Sequence, residues 1–205
     1  MKLKDDFDWS VYTLAFSEKE LFGSGYDLII EDFYIAEGEL VFNDNIHPNC
    51  KELYHQVHKL NVKSVHECGF GAGNHLINLY KINDELDING CDYCKSQMDL
   101  GIKRFNLDEY AFFKKLQIKD FSLPLREVSI KHDLVYTQAV TMHLSYDKAK
   151  EFLKNMRLIS TKYIFLIENI KEHDYDGLIA KVFPDYQRIS TSKYINYGIL
   201  LIKPD

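Results

Sequence analysis

The chain has 205 residues with a formal net charge of −6, 46 % apolar and 14 % aromatic residues. That length buries one good core, and the acidic balance argues against a nucleic-acid surface, which needs a basic footprint. MKLKDDFDWS at the start lacks the apolar stretch of a secretion signal and no apolar run approaches the roughly 18 residues of a membrane span, so a cytoplasmic protein is expected, with its four cysteines reduced.

In chain order, residues 1–47 read as an extension to a single domain whose core is 48–205. The aromatic-rich stretch 7–43 shows no resolvable period. Trp9, Tyr12 and Phe16 in WSVYTLAF fit a lid that excludes water from a ligand and equally fit plain core. Pro48 opens a helix over 48–60 that packs Leu53, Val57 and Leu60. A strand over 63–67 leads through a glycine-rich turn into a helix over 74–82, with Leu76, Leu79, Tyr80 and Ile77 turned inward. A strand over 87–92 precedes a helix over 95–105 in which Met98, Ile102 and Phe105 fall at i, i+4 and i+7.

Further strands follow over 115–120 and 133–138. The helix over 146–160 has the clearest stripe, made of Ala149, Phe152, Leu153, Met156 and Ile159, with Ser145 placed to cap it. A fifth strand covers 162–169. Residues 185–204 hold two β runs joined near 194–197, with too little chain between them for a helical crossover. Strands alternating with helices predict an α/β, doubly wound, mostly parallel sheet of seven strands that ends in an antiparallel pair.

The chemistry centres on VHECGFGAGNHL, residues 65–76. A glycine turn between strand and helix presents backbone N–H groups to a ligand. A triphosphate loop ends in Gly-Lys-Ser/Thr, whereas this turn ends Gly73-Asn74-His75 without a lysine. A dinucleotide fingerprint is G-x-G-x-x-G; here the third glycine comes one place early, and Glu67 stands two residues before the first. That carboxylate disfavours a nearby pyrophosphate and suits a cation such as an amino acid's ammonium. A NAD(P) enzyme stays open at this point.

Glu67, Gly69, Gly71 and Gly73 match E/D-x-G-x-G-x-G, and the chain resembles the class I S-adenosylmethionine-dependent methyltransferases over about 48–204. The resemblance implies that family's fold and S-adenosylmethionine as cofactor. It implies that Glu67 and the turn, with Phe70 inside it, hold the methionine part. Asp92, 25 residues after Glu67, would bind the ribose hydroxyls, with Tyr93 against the adenine. Asp120 and Phe121 would frame the adenine, and Gln138 would line the methyl-transfer channel. The segment DLVYTQAVTMHLS, residues 133–145, looks most like methyltransferases of bacterial sugar and polysaccharide modification.

Two residues near the same strand ends are candidate bases. His143 follows the fourth strand, and an imidazole takes a proton near neutral pH; a loop-stabilising histidine is the alternative. Glu168 closes the fifth strand as a base or as a substrate hydrogen-bond partner. Cys91 and Cys94 form a C-x-x-C without a second pair, so no metal is expected. His55 and His58 share one helix face and read as surface histidines. The expected activity is methyl transfer to an oxygen or nitrogen of a small molecule, a sugar or related metabolite. Alternatives are a methyltransferase acting on protein or RNA, or a non-catalytic partner subunit of the same fold. An Asn/Asp-Pro-Pro-Tyr-like motif of base methylation is absent, since Thr137-Gln138-Ala139-Val140 stands in its place. The sequence names neither the acceptor nor the oligomeric state.

Overall fold

A computed structural model describes residues 28–169, 171–191 and 198–204. The candidate lid around Trp9, Tyr12 and Phe16 and the joint near 194–197 lie outside the described residues. Among these, the chain begins with a small antiparallel hairpin, β1 (Phe33–Ala36) and β2 (Glu39–Phe42). Helix α1 (Pro48–Leu60) follows, then β3 (Ser64–Cys68), α2 (Asn74–Ile82), β4 (Asp87–Asp92), α3 (Lys95–Phe105) and β5 (Leu116–Ile118). The second half holds β6 (His132–Gln138), α4 (Tyr146–Ile159), β7 (Ser160–Ile167), α5 (Tyr175–Val182), β8 (Gln187–Thr191) and β9 (Gly198–Ile202).

The sheet has seven strands in the order β5-β4-β3-β6-β7-β9-β8. The first five run parallel, whereas β9 is antiparallel to both β7 and β8. From β3 the chain moves outward to β4 and β5, then returns to place β6 on the other side of β3. The order therefore reverses between β3 and β6, which is where open sheets of this kind bind ligands, beyond the strand carboxyl ends.

Both faces of the sheet are covered, so the strands read as near-continuous apolar runs. Alternate residues enter two separate cores. Leu134 and Tyr136 of β6 and Phe165 and Ile167 of β7 join Leu53, Val57, Leu76 and Leu79 on the first face. Val135, Ile164 and Leu166 join Ala149, Phe152, Leu153, Met156, Leu178 and Ile179 on the second. Helices α1, α2 and α3 thus cover one face, and α4 and α5 the other. The predicted apolar stripe of α4 is fully buried.

The structure departs from the sequence reading in three places. The hairpin β1–β2 lies in the stretch that showed no period; it is tied down by His58 Nε2 donating to the Gly38 carbonyl at 3.1 Å and by the ring of His55 set edge-on to Phe42. Helix α5 was not predicted, being only 8 residues long. Its start is capped by the Asp174 carboxylate, which accepts from Gly177 N–H at 2.9 Å. Ser145 does sit at the N-cap of α4, but its side chain makes no capping bond; its carbonyl accepts from Ala149 N–H at 2.8 Å instead.

Candidate active site

Glu67 and Cys68 end β3, and the chain then turns sharply. Gly69 has φ +86° and Gly71 φ +56°, a region L side chains seldom occupy. The two glycines are needed for different reasons. A Cβ on Gly69 would lie 2.3 Å from Cγ2 of Val140, so this position lets the β3 turn meet the loop after β6. A Cβ on Gly71 would meet only Oε1 of Gln97 at 3.9 Å, an ordinary contact, so this position is less crowded than Gly69. The turn is fastened to β4: Gly69 N–H donates to the Cys91 carbonyl at 2.7 Å. Gly73 then occupies the N-cap of α2, with no side chain to satisfy the first-turn N–H groups.

Two carboxylates converge on this turn. Glu67 is 1 % exposed and accepts from Tyr136 O–H at 3.1 Å. Burial pushes its carboxyl well above the usual carboxylate range; the tyrosine bond pulls it back and the charge of Asp92 pushes it further up. Asp92 ends β4 and accepts from Gly71 N–H at 2.8 Å and from Cys94 N–H at 2.7 Å. Burial raises it to about 6 against the pull of those N–H groups. A site that holds two acids at a cost to their charged forms favours a ligand bringing positive charge and hydroxyl donors.

The other predicted residues fall into distinct settings. Tyr93 is 62 % exposed next to Asp92. Phe70 is in the first core, so only its backbone faces the turn. Asp120 accepts from both N–H and O–H of Ser122, at 2.9 and 2.6 Å, in a tight turn after β5. Phe121 is in the second core, edge-to-face with Phe152 and stacked near His66. Tyr93 is therefore the aromatic surface that this edge leaves accessible. Gln138 ends β6 and is buried; its Nε2 reaches Cys50 Sγ of α1 at 3.9 Å, and its Oε1 has no partner among the described residues.

At the neighbouring strand ends Glu168 forms a different arrangement. It is 3 % exposed. Its carboxylate accepts from the N–H groups of Val140 and Thr141 at 3.1 Å each and of Met142 at 3.2 Å. Burial raises it to about 7, and those three amides hold it down. The loop they form leaves β6 through Ala139, a non-glycine residue at φ +55°, and continues as a 3-10 turn over Thr141–His143. Tyr175 O–H lies 2.8 Å from Thr141 Oγ1, and His173 Nε2 donates to the Thr141 carbonyl at 2.8 Å. His143 ends this turn, half-buried. Burial lowers its pKa, with Glu172 acting the other way, which favours the neutral ring.

Tyr136, the partner of Glu67, carries no local signal in the sequence, although it faces Glu67 in register. Nor did it show the buried chain in which Asn78 Nδ2 donates to Tyr54 O–H at 2.7 Å while that hydroxyl meets His75 Nδ1 at 3.1 Å. The C-x-x-C cysteines do not meet: Cys94 Sγ contacts Ser96 Oγ at 3.0 Å, while Cys91 pairs in register with Cys68.

No protein-family model matches the chain, and no curated protein is similar to it in sequence. Solved structures are similar to it in fold. CalS10, an amino pentose methyltransferase from Micromonospora echinaspora with bound S-adenosylmethionine, superposes with a TM-score of 0.60 over 79 % of this chain and 93 % of its own, at 9 % identity. The methyltransferase domain of bacterial CtHen1 gives 0.58 over 76 % and 96 %, at 14 % identity. The fold is that of the class I methyltransferases. The plantazolicin methyltransferase BpumL, in complex with S-adenosylhomocysteine, gives 0.55 over 77 % and 82 %, at 11 % identity. Within this fold, Glu67 and the glycine turn lie at the carboxyl end of β3, beside the reversal of strand order, and Asp92 at the carboxyl end of the neighbouring β4. No helix among the described residues is long and apolar enough to cross a membrane.

Proposed function

We propose that the chain is an S-adenosylmethionine-dependent methyltransferase acting on an oxygen or nitrogen atom of a small molecule, a sugar or related metabolite. The carrying observation is the convergence of Glu67 and Asp92 on the glycine turn, where Asp92 accepts from Gly71 N–H. The residues fit the cofactor. Glu67 meets the ammonium of the methionine end, Asp92 the ribose hydroxyls, and exposed Tyr93 offers a ring face for stacking. Gln138, at the carboxyl end of β6, has a buried Oε1 without a partner among the described residues, which is available as an acceptor. S-adenosylmethionine, when bound, supplies a methyl group already activated by its sulfonium.

What remains for the protein is mainly orientation, which contributes up to about 7–11 kcal/mol in favourable cases. Asp92 gives up its two backbone donors, or shares them, when it takes hydroxyls. Glu168 acts as a positioning residue: it gathers the amides of 140–142 and so fixes the turn that carries His143. His143, half-buried with its pKa lowered by burial, accepts the proton of the acceptor's hydroxyl or amine, a contribution of roughly 10²–10⁴-fold.

The sugar-like acceptor is supported by the likeness to CalS10 and by the text of residues 133–145. Incubation with methyl-tritiated S-adenosylmethionine and a panel of sugars, amino sugars and hydroxylated metabolites tests the reading. Label transferred to one acceptor class, and reduced by His143→Ala without loss of cofactor binding, is the expected result. Cofactor binding without transfer to any acceptor, protein and RNA included, points to the non-catalytic subunit instead.

A further inference from the structure

On the second face of the sheet, directly behind the glycine turn, three soft donors lie together. Cys68 and Cys91 are register partners on β3 and β4, 0 % and 1 % exposed, and both are free thiols. His66, two residues before Cys68, points to the same face. One ring nitrogen of His66 and the two sulfurs all lie within 4.8 Å of one another. A tetrahedral zinc centre with ordinary bond lengths places such donors roughly 3.5–4 Å apart, so small side-chain rotations close the set.

A second feature marks this cluster. Neither Nδ1 nor Nε2 of His66 has a hydrogen-bond partner among the described residues, though both atoms are out of contact with solvent. A buried imidazole ordinarily satisfies at least one nitrogen, and a buried polar atom without a partner costs about 1–3 kcal/mol. His132 repeats the pattern: its ring lies 4.9 Å from that of His66, and its Nδ1 is also buried without a partner.

The geometry points to a binding site for a thiophilic d¹⁰ ion, Zn(II) or Cu(I), held by His66, Cys68 and Cys91. Thiolate and imidazole donors select these ions over Mg(II) and Ca(II). His132 stands next in line as a fourth donor. On binding, each thiol loses its proton to solvent as its sulfur–metal bond forms, and His66 donates the lone pair of a neutral nitrogen; nothing is oxidised or reduced. With two thiolates a Zn(II) centre carries no net charge. A Cu(I) centre carries one negative charge, and Lys119 is close enough to His66 to act on it electrostatically. Entry runs through the connection 119–131, which contains no helix or strand and covers this part of the face with Phe121 stacked near His66.

Chelator-stripped, reduced full-length protein is titrated anaerobically with Zn(II) and, separately, with Cu(I), each against a chromophoric competitor. One equivalent of at least one of the two ions is expected to bind. Replacement by Co(II) is expected to give thiolate-to-metal charge-transfer absorption. Cys68→Ala and Cys91→Ala each weaken binding by at least ~100-fold, more than the ~10–100-fold of an outer-shell change. Cys50→Ala and Cys94→Ala leave it unchanged. His66→Phe keeps an aromatic ring between Phe121 and His132 and is the deciding variant if either cysteine variant fails to fold. Absence of stoichiometric binding of both ions overturns the site. So does binding that survives His66→Phe or the loss of Cys68 or Cys91. Neither outcome depends on whether the chain binds S-adenosylmethionine.

Discussion

The carboxyl ends of β3–β4 and of β6–β7 both place a buried carboxyl against backbone amides, but with different results. Asp92 accepts from the N–H groups of Gly71 and Cys94, with the Tyr93 amide also favouring its charged form, and so holds the glycine turn. Glu168 takes three, from consecutive residues 140–142, with hydroxyl contacts around them. The two carboxylates thus differ in what they hold: Asp92 the glycine turn after β3, Glu168 the loop after β6.

The largest expected effect separates the two directly. Asp92→Ala lowers affinity for S-adenosylhomocysteine by at least about 100-fold, because two charge-assisted bonds are worth roughly 1.5–3 kcal/mol each; calorimetry reads it. Next comes a contrast within the turn. Gly69→Ala destabilises the fold by about 2–4 kcal/mol, combining the clash with Val140 and the strain of φ +86°. Gly71→Ala costs only about 1 kcal/mol and acts on binding instead. Urea denaturation beside ligand titration distinguishes them.

Glu168→Gln is expected to cost about 1–3 kcal/mol, since an amide cannot accept from three N–H groups. It also changes the pH dependence. The folded-state pKa of Glu168, about 7, exceeds its ordinary 4.5, so between those values the folded protein holds a proton that the unfolded chain has released. Stability therefore falls as pH rises through that window, and the fall is shallower in Glu168→Gln. Asp92 adds a binding effect of opposite sense. With a value near 6, it must ionise to accept ribose hydroxyls, and affinity for S-adenosylhomocysteine at pH 5 is expected to be roughly tenfold weaker than at pH 8. The smallest effect belongs to Tyr93→Ala, which removes a stacking face worth about 0.5–1.5 kcal/mol without altering the melting temperature.

Much of the fold and of the geometry around the glycine turn could be read in the chain because each signal there is local. Periodicity places α1 to α4, and α2 and α3 begin and end as expected. Glu67, the glycines and Asp92 sit within one β-α-β unit, where spacing alone fixes their relation. The acceptor side depends on contacts distant in sequence. Glu168 reaches Val140 across 28 positions, and nothing near Glu168 in the sequence foretells it. The cysteines show the same limit. Cys91-x-x-Cys94 attracts attention by proximity, yet the spatial pair is Cys68–Cys91, set by the register of two parallel strands. Aligning the ends of those strands at Glu67 and Asp92 would have revealed it. Phe121 illustrates the converse: an aromatic placed one residue beyond an acid reads as an adenine neighbour, but the turn at Asp120–Ser122 directs it into the core.

The proposed function requires the glycine turn with Glu67 and Asp92 to bind S-adenosylmethionine. Calorimetric titration of the full-length protein with S-adenosylhomocysteine, alongside NAD⁺ and ATP, tests it most directly. Saturable one-to-one binding of S-adenosylhomocysteine alone, abolished in Asp92→Ala, is the predicted result. Binding of NAD⁺ in its place, no binding of S-adenosylhomocysteine, or undiminished binding in Asp92→Ala would contradict it.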